Sequence, residues 1–521
     1  MNSGNAPSSV TVIQTNPGVT APLNAAPNIL PKPITPQELQ KLELPPQIAI
    51  PTKEPLSNIS KERNGAYSGP AMDLISLYQE AAFSDPVINS ARFANAARKE
   101  FYWQGLSYLL PQVVATPQGT RYYQHGVGST VVSSNPGNSR LYDQKSYTVT
   151  LTQPVFNVAS LEVFKQGDLN TKIGDLTFLQ ATQDLAIRVA QAYFDVLFAH
   201  DNVDLYKKKK DLIQQQLETA KARFEVGLAT IVDANDAQAR YDVANSQEIA
   251  SQADLIVKQG VLEQLIGRPV GAIKPLAKDS KIDSVVQDPL SKLKNNRITP
   301  ITAESVNPLL PVGQRLEDWI NQAETANYGV MAGQLNMELA QSTYRASLAT
   351  NYPSVNLVGS AGYNTSNGLA NSYNPTNTNV YNNSIALQMN LPIFSGGYNT
   401  SLIRQNAALF DKAKADYDNL RRSTAQNTRQ AFMGFYGGLA TVKALEAAER
   451  SSAAAVESSK LGYQVGTLVN LDVLISFDTL YTTRATLYKA RYDTIVNALK
   501  LKAYAASLDD TDLVQVNALL R

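Results

Sequence analysis

Residues 146–156 read Ser-Tyr-Thr-Val-Thr-Leu-Thr-Gln-Pro-Val-Phe, and residues 384–394 read Ser-Ile-Ala-Leu-Gln-Met-Asn-Leu-Pro-Ile-Phe. In the first, Tyr147, Val149 and Leu151 alternate with Thr148, Thr150 and Thr152; in the second, Ile385, Leu387, Met389 and Leu391 alternate with Ala386, Gln388 and Asn390. A period of two puts the two sets on opposite faces of a strand. Residues 355–363 behave alike, with Val355, Leu357, Gly359, Ala361 and Tyr363 on one face. The polar face carries small uncharged residues, as the lining of a water-filled barrel would. A soluble sheet with one wet face shows the same alternation, but here the strands come only in two widely separated hairpins. Two hairpins make four strands with two bare edges. Lipid supplies no water to satisfy an open edge, so the expectation is a closed barrel of about 12 strands, four from each of three chains.

Both segments sit inside an internal repeat. Gln191-Ala192-Tyr193-Phe194 recurs as Gln430-Ala431-Phe432-Met433, Phe224-Glu225-Val226-Gly227 as Tyr463-Gln464-Val465-Gly466, and Asp233 as Asp472, each at an offset of 239. Pro154-Val155-Phe156 recurs as Pro392-Ile393-Phe394 at 238, and Leu110-Pro111-Gln112-Val113 as Tyr352-Pro353-Ser354-Val355 at 242. Each half has the same order: a helical stretch (72–109, 316–350), two strand-like segments around a polar loop, a very long helix (158–226, about 397–465), and a returning helix (231–266, 470–506). Gly227 and Gly466 suit helix C-termini, and Asp233 and Asp472 suit the first turn of the returning helices. At 1.5 Å per residue, 158–226 spans about 100 Å. Ile213, Leu217, Ala220 and Phe224, and Tyr481, Ala485, Tyr488, Tyr492, Ile495 and Leu499, step by three and four as coiled-coil seams do. The domains expected are a Pro-rich arm at 1–70, a first repeat at 71–267, an irregular linker at 268–315, a second repeat at 316–508 and a C-terminal segment at 509–521. The arm carries 12 of the 26 prolines, a composition that cannot bury enough apolar surface to order itself.

Composition narrows the chemistry. The 521 residues hold 46 Lys plus Arg against 45 Asp plus Glu, a net charge of +1, with no Cys and two His. No basic excess supports nucleic-acid binding. Disulfides, thiolate chemistry, cysteine zinc sites and lipid attachment at an N-terminal cysteine are excluded, and histidine metal sites or Ser-His triads are disfavoured. No catalytic constellation, metal site or cofactor is expected. No stretch is long and apolar enough for a membrane-spanning helix, which alone would suggest a soluble protein; the alternating hairpins argue otherwise. The four lysines Lys207–Lys210 read as a solvated outer face. The hairpin tips, with eight Asn between 364 and 383 and Ser133-Ser134-Asn135-Pro136-Gly137-Asn138 in the first, suit an extracellular end.

Repeat, hairpins and Phe/Tyr-x-Val-Gly turns together resemble the TolC-type outer-membrane channel family over about residues 72–521. The resemblance implies an α+β membrane protein: a homotrimer whose 12-stranded outer-membrane barrel continues into a periplasmic helical tunnel. It implies no enzymatic activity, and partnership with a periplasmic adaptor and an inner-membrane transporter. Ser146–Phe156, with its Thr-Gln-x-x-Phe, looks like the type I secretion branch, which implies polypeptide export with an ABC transporter. Multidrug efflux with a proton-driven pump is the alternative, and a soluble trimeric coiled-coil scaffold or adhesin stalk is the reading from another class. By resemblance Asp233 and Tyr463 match gate positions and Asp472 an acidic position near the tunnel entrance, while Asp236 is the first-half counterpart of position 475. Leu468 and Ile475 replace an arginine and an acid of the family's gate, so a weaker lock is expected. The helix tips Val226, Gly227, Leu228, Val465, Gly466 and Thr467 are expected to dock the adaptor. Tyr147, Phe156 and Phe394 are expected at the membrane interface. Localisation in a Gram-negative outer membrane implies a precursor with a cleavable signal outside this numbering.

Overall fold

A computed structural model of the chain describes residues 71–125, 139–277, 316–367 and 378–520. The chain divides into two units, Met1–Asn64 and Gly65–Arg521, and every described residue belongs to the second. The Pro-rich arm, the tip Ser133–Asn138, the middle of the Asn-rich tip and most of the linker lie outside the described residues.

Helices α1 (Leu74–Ser84) and α2 (Pro86–Ser107) lead into strands β1 (Gln112–His125) and β2 (Ser139–Phe156). Helix α3 (Val158–Glu225) follows, and α4 (Ile231–Ile266) returns beside it. The second half repeats the order with α5 (Leu316–Ala326), α6 (Tyr328–Ala349), β3 (Ser354–Asn367), β4 (Thr378–Asn390), α7 (Tyr398–Gln464) and α8 (Asn470–Tyr504). A short α9 (Asp510–Asn517) closes the described chain. The fold is α+β. Among the described residues no helix is long and apolar enough to cross a membrane.

The strands form one antiparallel sheet in the order β1-β2-β3-β4, so β1 and β4 are its edges. The register of the central pair, Tyr147↔Tyr363, Val149↔Ala361 and Leu151↔Gly359, places the two apolar sets on one face. The outer pairs continue it, with Val113↔Leu151 and Ala361↔Asn383.

Two expected single helical stretches are each broken in two. Pro86 starts α2 behind the cap Asp85, whose side chain accepts from Val87 N at 3.2 Å. Asn327 starts α6, its Oδ1 accepting from Gly329 N and Val330 N at 2.9 and 3.2 Å. The breaks stack short helices end to end against the long ones. Above, α2 and α6 pack on α3; below, α4 and α8 do. At the upper junction Ser84 Oγ donates to Leu265 O at 3.1 Å, and at the other Asn327 Nδ2 donates to Tyr504 O at 3.0 Å. Orphan carbonyls at the C-termini of α4 and α8 are thus satisfied by Ser84, the last residue of α1, and by Asn327, the N-cap of α6.

The main core lies at these junctions, where Leu74, Leu77 and Leu513 pack on Leu185, Val189, Tyr193, Ile495 and Leu499. A second core near the tips joins the seam residues Ile213, Leu217 and Ala220 to Val473, Leu474 and Phe477. Close approach of α2 to α3 depends on Gly167: a Cβ there would press on the Phe101 carbonyl, whose carbon lies 3.1 Å away. The lysine run departs from expectation. Lys209 is 6 % exposed, with its Nζ 2.6 Å from Asp478 and 3.0 Å from Gln247 Oε1. Four successive helical residues point in four directions, about 100° apart, so one of them turns into the helix seam.

Candidate functional site

The sheet has two chemically distinct faces. On the apolar face, cross-strand rows run Val113–Leu151–Gly359–Ile385 and Ala115–Val149–Ala361–Asn383. Toward the loops, Tyr147, Tyr363 and Tyr381 form the next row, with the last two rings 4.8 Å apart. Toward the helices, Phe156 pairs with Val355, and Val355 with Met389. From Tyr381 to Met389 is about 26 Å along the strand, or roughly 20 Å of height at a ~40° tilt, close to the apolar band of an outer-membrane barrel. Aromatic residues edge the band on both sides, as interface girdles do. Tyr147 and Phe156 are exposed on this face, and Phe394 lies exposed past the end of β4. The sequence places Tyr363 on a strand face but not in an aromatic row with Tyr381, because the row exists only through the register of three strands.

At the other end, the long helices stop at left-handed glycines, Gly227 (φ 74°) and Gly466 (φ 79°). Leu228 N donates to Arg223 O and Thr467 N to Gly462 O, both at 2.8 Å, the pattern by which a glycine closes a helix C-terminus. Thr467 Oγ1 adds a bond to Gly462 O at 3.0 Å. Val226, Leu228 and Val465 are exposed. The two turns therefore present bare apolar side chains on rigid stops.

Asp233 and Asp472 occupy matching third positions of α4 and α8. Asp233 and Thr230 cap reciprocally: Thr230 N donates to Asp233 Oδ2 at 3.1 Å and Asp233 N to Thr230 Oγ1 at 3.3 Å. Val469 has no side-chain oxygen, so Asp472 supplies only the return half, accepting from Val469 N at 3.2 Å. Asp236 is half-buried in the next turn of α4. Tyr463 is buried, and among the described residues its hydroxyl meets no hydrogen-bond partner. Its ring is engaged instead. The Arg223 guanidinium lies 4.4 Å from the ring centroid and donates to Tyr463 O at 3.4 Å. Asn470, 1 % exposed, accepts from Gln216 Nε2 at 2.5 Å and donates to Asp233 O at 3.2 Å. Arg223, Gln216 and Asn470 thus tie the α3–α4 hairpin to the α7–α8 hairpin. Sequence reading missed all three, and only Arg223's place in a last helical turn could have flagged one of them. Among the described residues no cluster of His, Asp or Glu is arranged to hold a metal ion.

A lipid-patterned sheet continuing into paired helices, one of them 68 residues long, defines an outer-membrane channel protein. The family model described as outer membrane efflux protein matches residues 77–268 and 319–507, and the chain belongs to that family. The chain is 27 % identical to the outer membrane protein TolC of Vibrio cholerae, over 87 % of this chain and 94 % of that one. It is 26 % identical to the alkaline protease secretion protein AprF of Pseudomonas aeruginosa, over 86 % and 87 %. The solved outer membrane protein VceC of Vibrio cholerae superposes with a TM-score of 0.64 at 16 % identity, covering 83 % of this chain and 95 % of that one. The protein is an efflux or secretion channel of the bacterial outer membrane with a periplasmic extension, a transport protein and not an enzyme. The soluble scaffold reading is set aside.

Proposed function

We propose that three copies of this chain close a 12-stranded barrel and form the exit duct of a tripartite system that exports polypeptides, with an ABC transporter and a periplasmic adaptor. The observation that carries the reading is the four-stranded sheet, lipid-patterned on one face and open at both edges β1 and β4. Isolated in a bilayer, those edges leave two rows of backbone groups unsatisfied at several kcal/mol each; joining copies edge to edge removes them. Support for polypeptide cargo comes from Thr152-Gln153-x-x-Phe156 and from the relative that bears a protease-secretion name. Disrupting the gene and comparing the exported proteome with drug susceptibility tests the cargo: loss of exported proteins with unchanged drug tolerance is expected, and the reverse points to drug efflux. A purified protein that stays monodisperse and trimeric without detergent would overturn the barrel.

The tips are the proposed gate and docking surface. Val226, Gly227, Leu228, Val465, Gly466 and Thr467 offer apolar knobs to an adaptor, and Asp233, Asp236 and Asp472, three times repeated, ring the entrance with carboxylates that attract cations. With leucine at 468, the latch within each chain is the Arg223–Tyr463 stack together with Gln216–Asn470–Asp233. Single-channel recording tests it, since breaking the latch raises the open occupancy.

A further inference from the structure

The second face of the sheet carries a property that neither the repeat nor the family match requires. On this face the rows run Thr116–Thr148–Gly362–Asn382 and Val114–Thr150–Ser360–Ser384. Reading the even-numbered positions of 112–122, 144–154, 354–366 and 380–390, none is Asp, Glu, Lys or Arg. Ser360 and Ser384 share a 2.8 Å hydroxyl contact across β3 and β4. The charged residues of the described strand side chains, Arg121, Asp143 and Lys145, all have odd numbers. They stand on the other face, beyond the tyrosine row, where Arg121 and Asp143 pair at 2.7 Å. Arg140, of even number, pairs by its backbone with Gln124 at the loop end, outside that span. Between Arg345 and Arg404 the chain holds no charged residue at all, so the whole second hairpin is neutral.

We infer that the barrel segment of the duct is a charge-blind wall, built for extended polypeptides carrying both signs of charge rather than for solutes of one sign. This rests on the proposed barrel, in which the even face is the lumen. A charged ring on a low-dielectric wall focuses field lines and shifts the capture of charged solutes by about tenfold or more. Within a Debye length of about 8 Å a passing chain cannot escape such a ring. It would hold segments of one sign and repel the other, stalling a polymer that carries both. Hydroxyl and amide groups instead exchange hydrogen bonds with water and with a passing backbone at a net cost near zero, about 0.5–1.5 kcal/mol per bond either way. Such a wall wets the pore without trapping the cargo. Discrimination by charge is then left to the carboxylates at the helical tips.

The test places the full-length trimer in planar bilayers and adds, from the extracellular side, flexible glutamate-rich or lysine-rich peptides of equal length. Capture rates are read from current blockades. The expected result is equal capture of both peptides within about threefold, well inside the tenfold that a charged ring produces. Thr150→Asp should then favour the lysine-rich peptide by about tenfold, and Ser360→Lys should reverse the preference. Unequal capture of about tenfold by the unmodified channel overturns the inference, as does a failure of both variants to change the ratio. Absence of any conductance strikes the barrel reading instead.

Discussion

Replacing Arg223 by Ala should open the duct, and the size of the effect follows from the geometry. The guanidinium carbon stands 4.4 Å from the Tyr463 ring centroid, and the ring is buried. A cation over an aromatic face gains about 0.5–1 kcal/mol when exposed and about 2 when desolvated; this half-buried pair falls at about 1–2. The hydrogen bond to Tyr463 O, at 3.4 Å, is near the limit of useful length and adds little. In a trimer whose tips move together, three latches sum to about 3–6 kcal/mol, a shift of about 10²–10⁴ in the closed-to-open ratio. Single-channel recording of Arg223→Ala should therefore show open occupancy raised at least about a hundredfold. Tyr463→Phe should leave gating unchanged, because the hydroxyl has no hydrogen-bond partner among the described residues. It should also leave the thermal midpoint unchanged or raised, since a buried unpaired hydroxyl costs about 1–3 kcal/mol. If Tyr463→Phe opens the channel while Arg223→Ala does not, the ring-face latch is wrong and the hydroxyl acts through a neighbouring subunit.

Three further outcomes follow from other contacts. Asn470→Ala leaves Gln216 and Asp233 O without their buried bridge, so stability should fall by about 1–3 kcal/mol and chemical unfolding should shift to lower denaturant. Gly167→Ala gains about 1 kcal/mol of helix propensity but drives a methyl into the Phe101 backbone, an overpacking loss of about 1–3 kcal/mol; a lowered melting midpoint is expected, and an unchanged one would show that α2 can slide away from α3. Burial raises the Asp201 carboxyl above its ordinary value, against the opposing bond from Tyr492 Oη at 2.5 Å. The folded state then binds the proton more tightly than the unfolded chain, so this group's stabilisation is present below the unfolded value of 3.8 and is lost as pH rises through the folded one. Asp201→Asn should remove that component of the pH dependence, read from melting curves that start below pH 3.8 and run upward.

The elements that were legible in the sequence are those written in local period. Alternation over 147–152 and 385–391 marks strands wherever they pair, and a glycine after a long helical pattern marks its end. What was hidden depends on residues far apart. Arg223 and Tyr463 are 240 residues apart, and the Tyr147–Tyr363–Tyr381 row exists only once β2, β3 and β4 are in register. The break at Asn327 was hidden for a similar reason: an asparagine in a helical pattern becomes a cap when Tyr504 O arrives to take its amide. The break at Pro86 was legible in principle, since proline favours a first helical position, but the apolar pattern on both sides ran through it.

The foot of the barrel shows how one irregularity can carry function. Counting by twos, Thr150, Thr152, Pro154 and Phe156 share a face, which would put the phenylalanine ring in the lumen. The register shifts between Pro154 and Phe156. Proline has no N–H to give the ladder, and a bulge there lets the next residues turn. Phe156 then pairs with Val355, joining the apolar face at the height of Met389. In the second half the motif returns as Pro392-Ile393-Phe394, but β4 has already ended at Asn390, and the ring is 88 % exposed. One copy turns its aromatic outward by a bulge, the other by leaving the sheet. Both keep a bulky apolar ring out of a neutral polar lumen, which is where a passing chain would meet it.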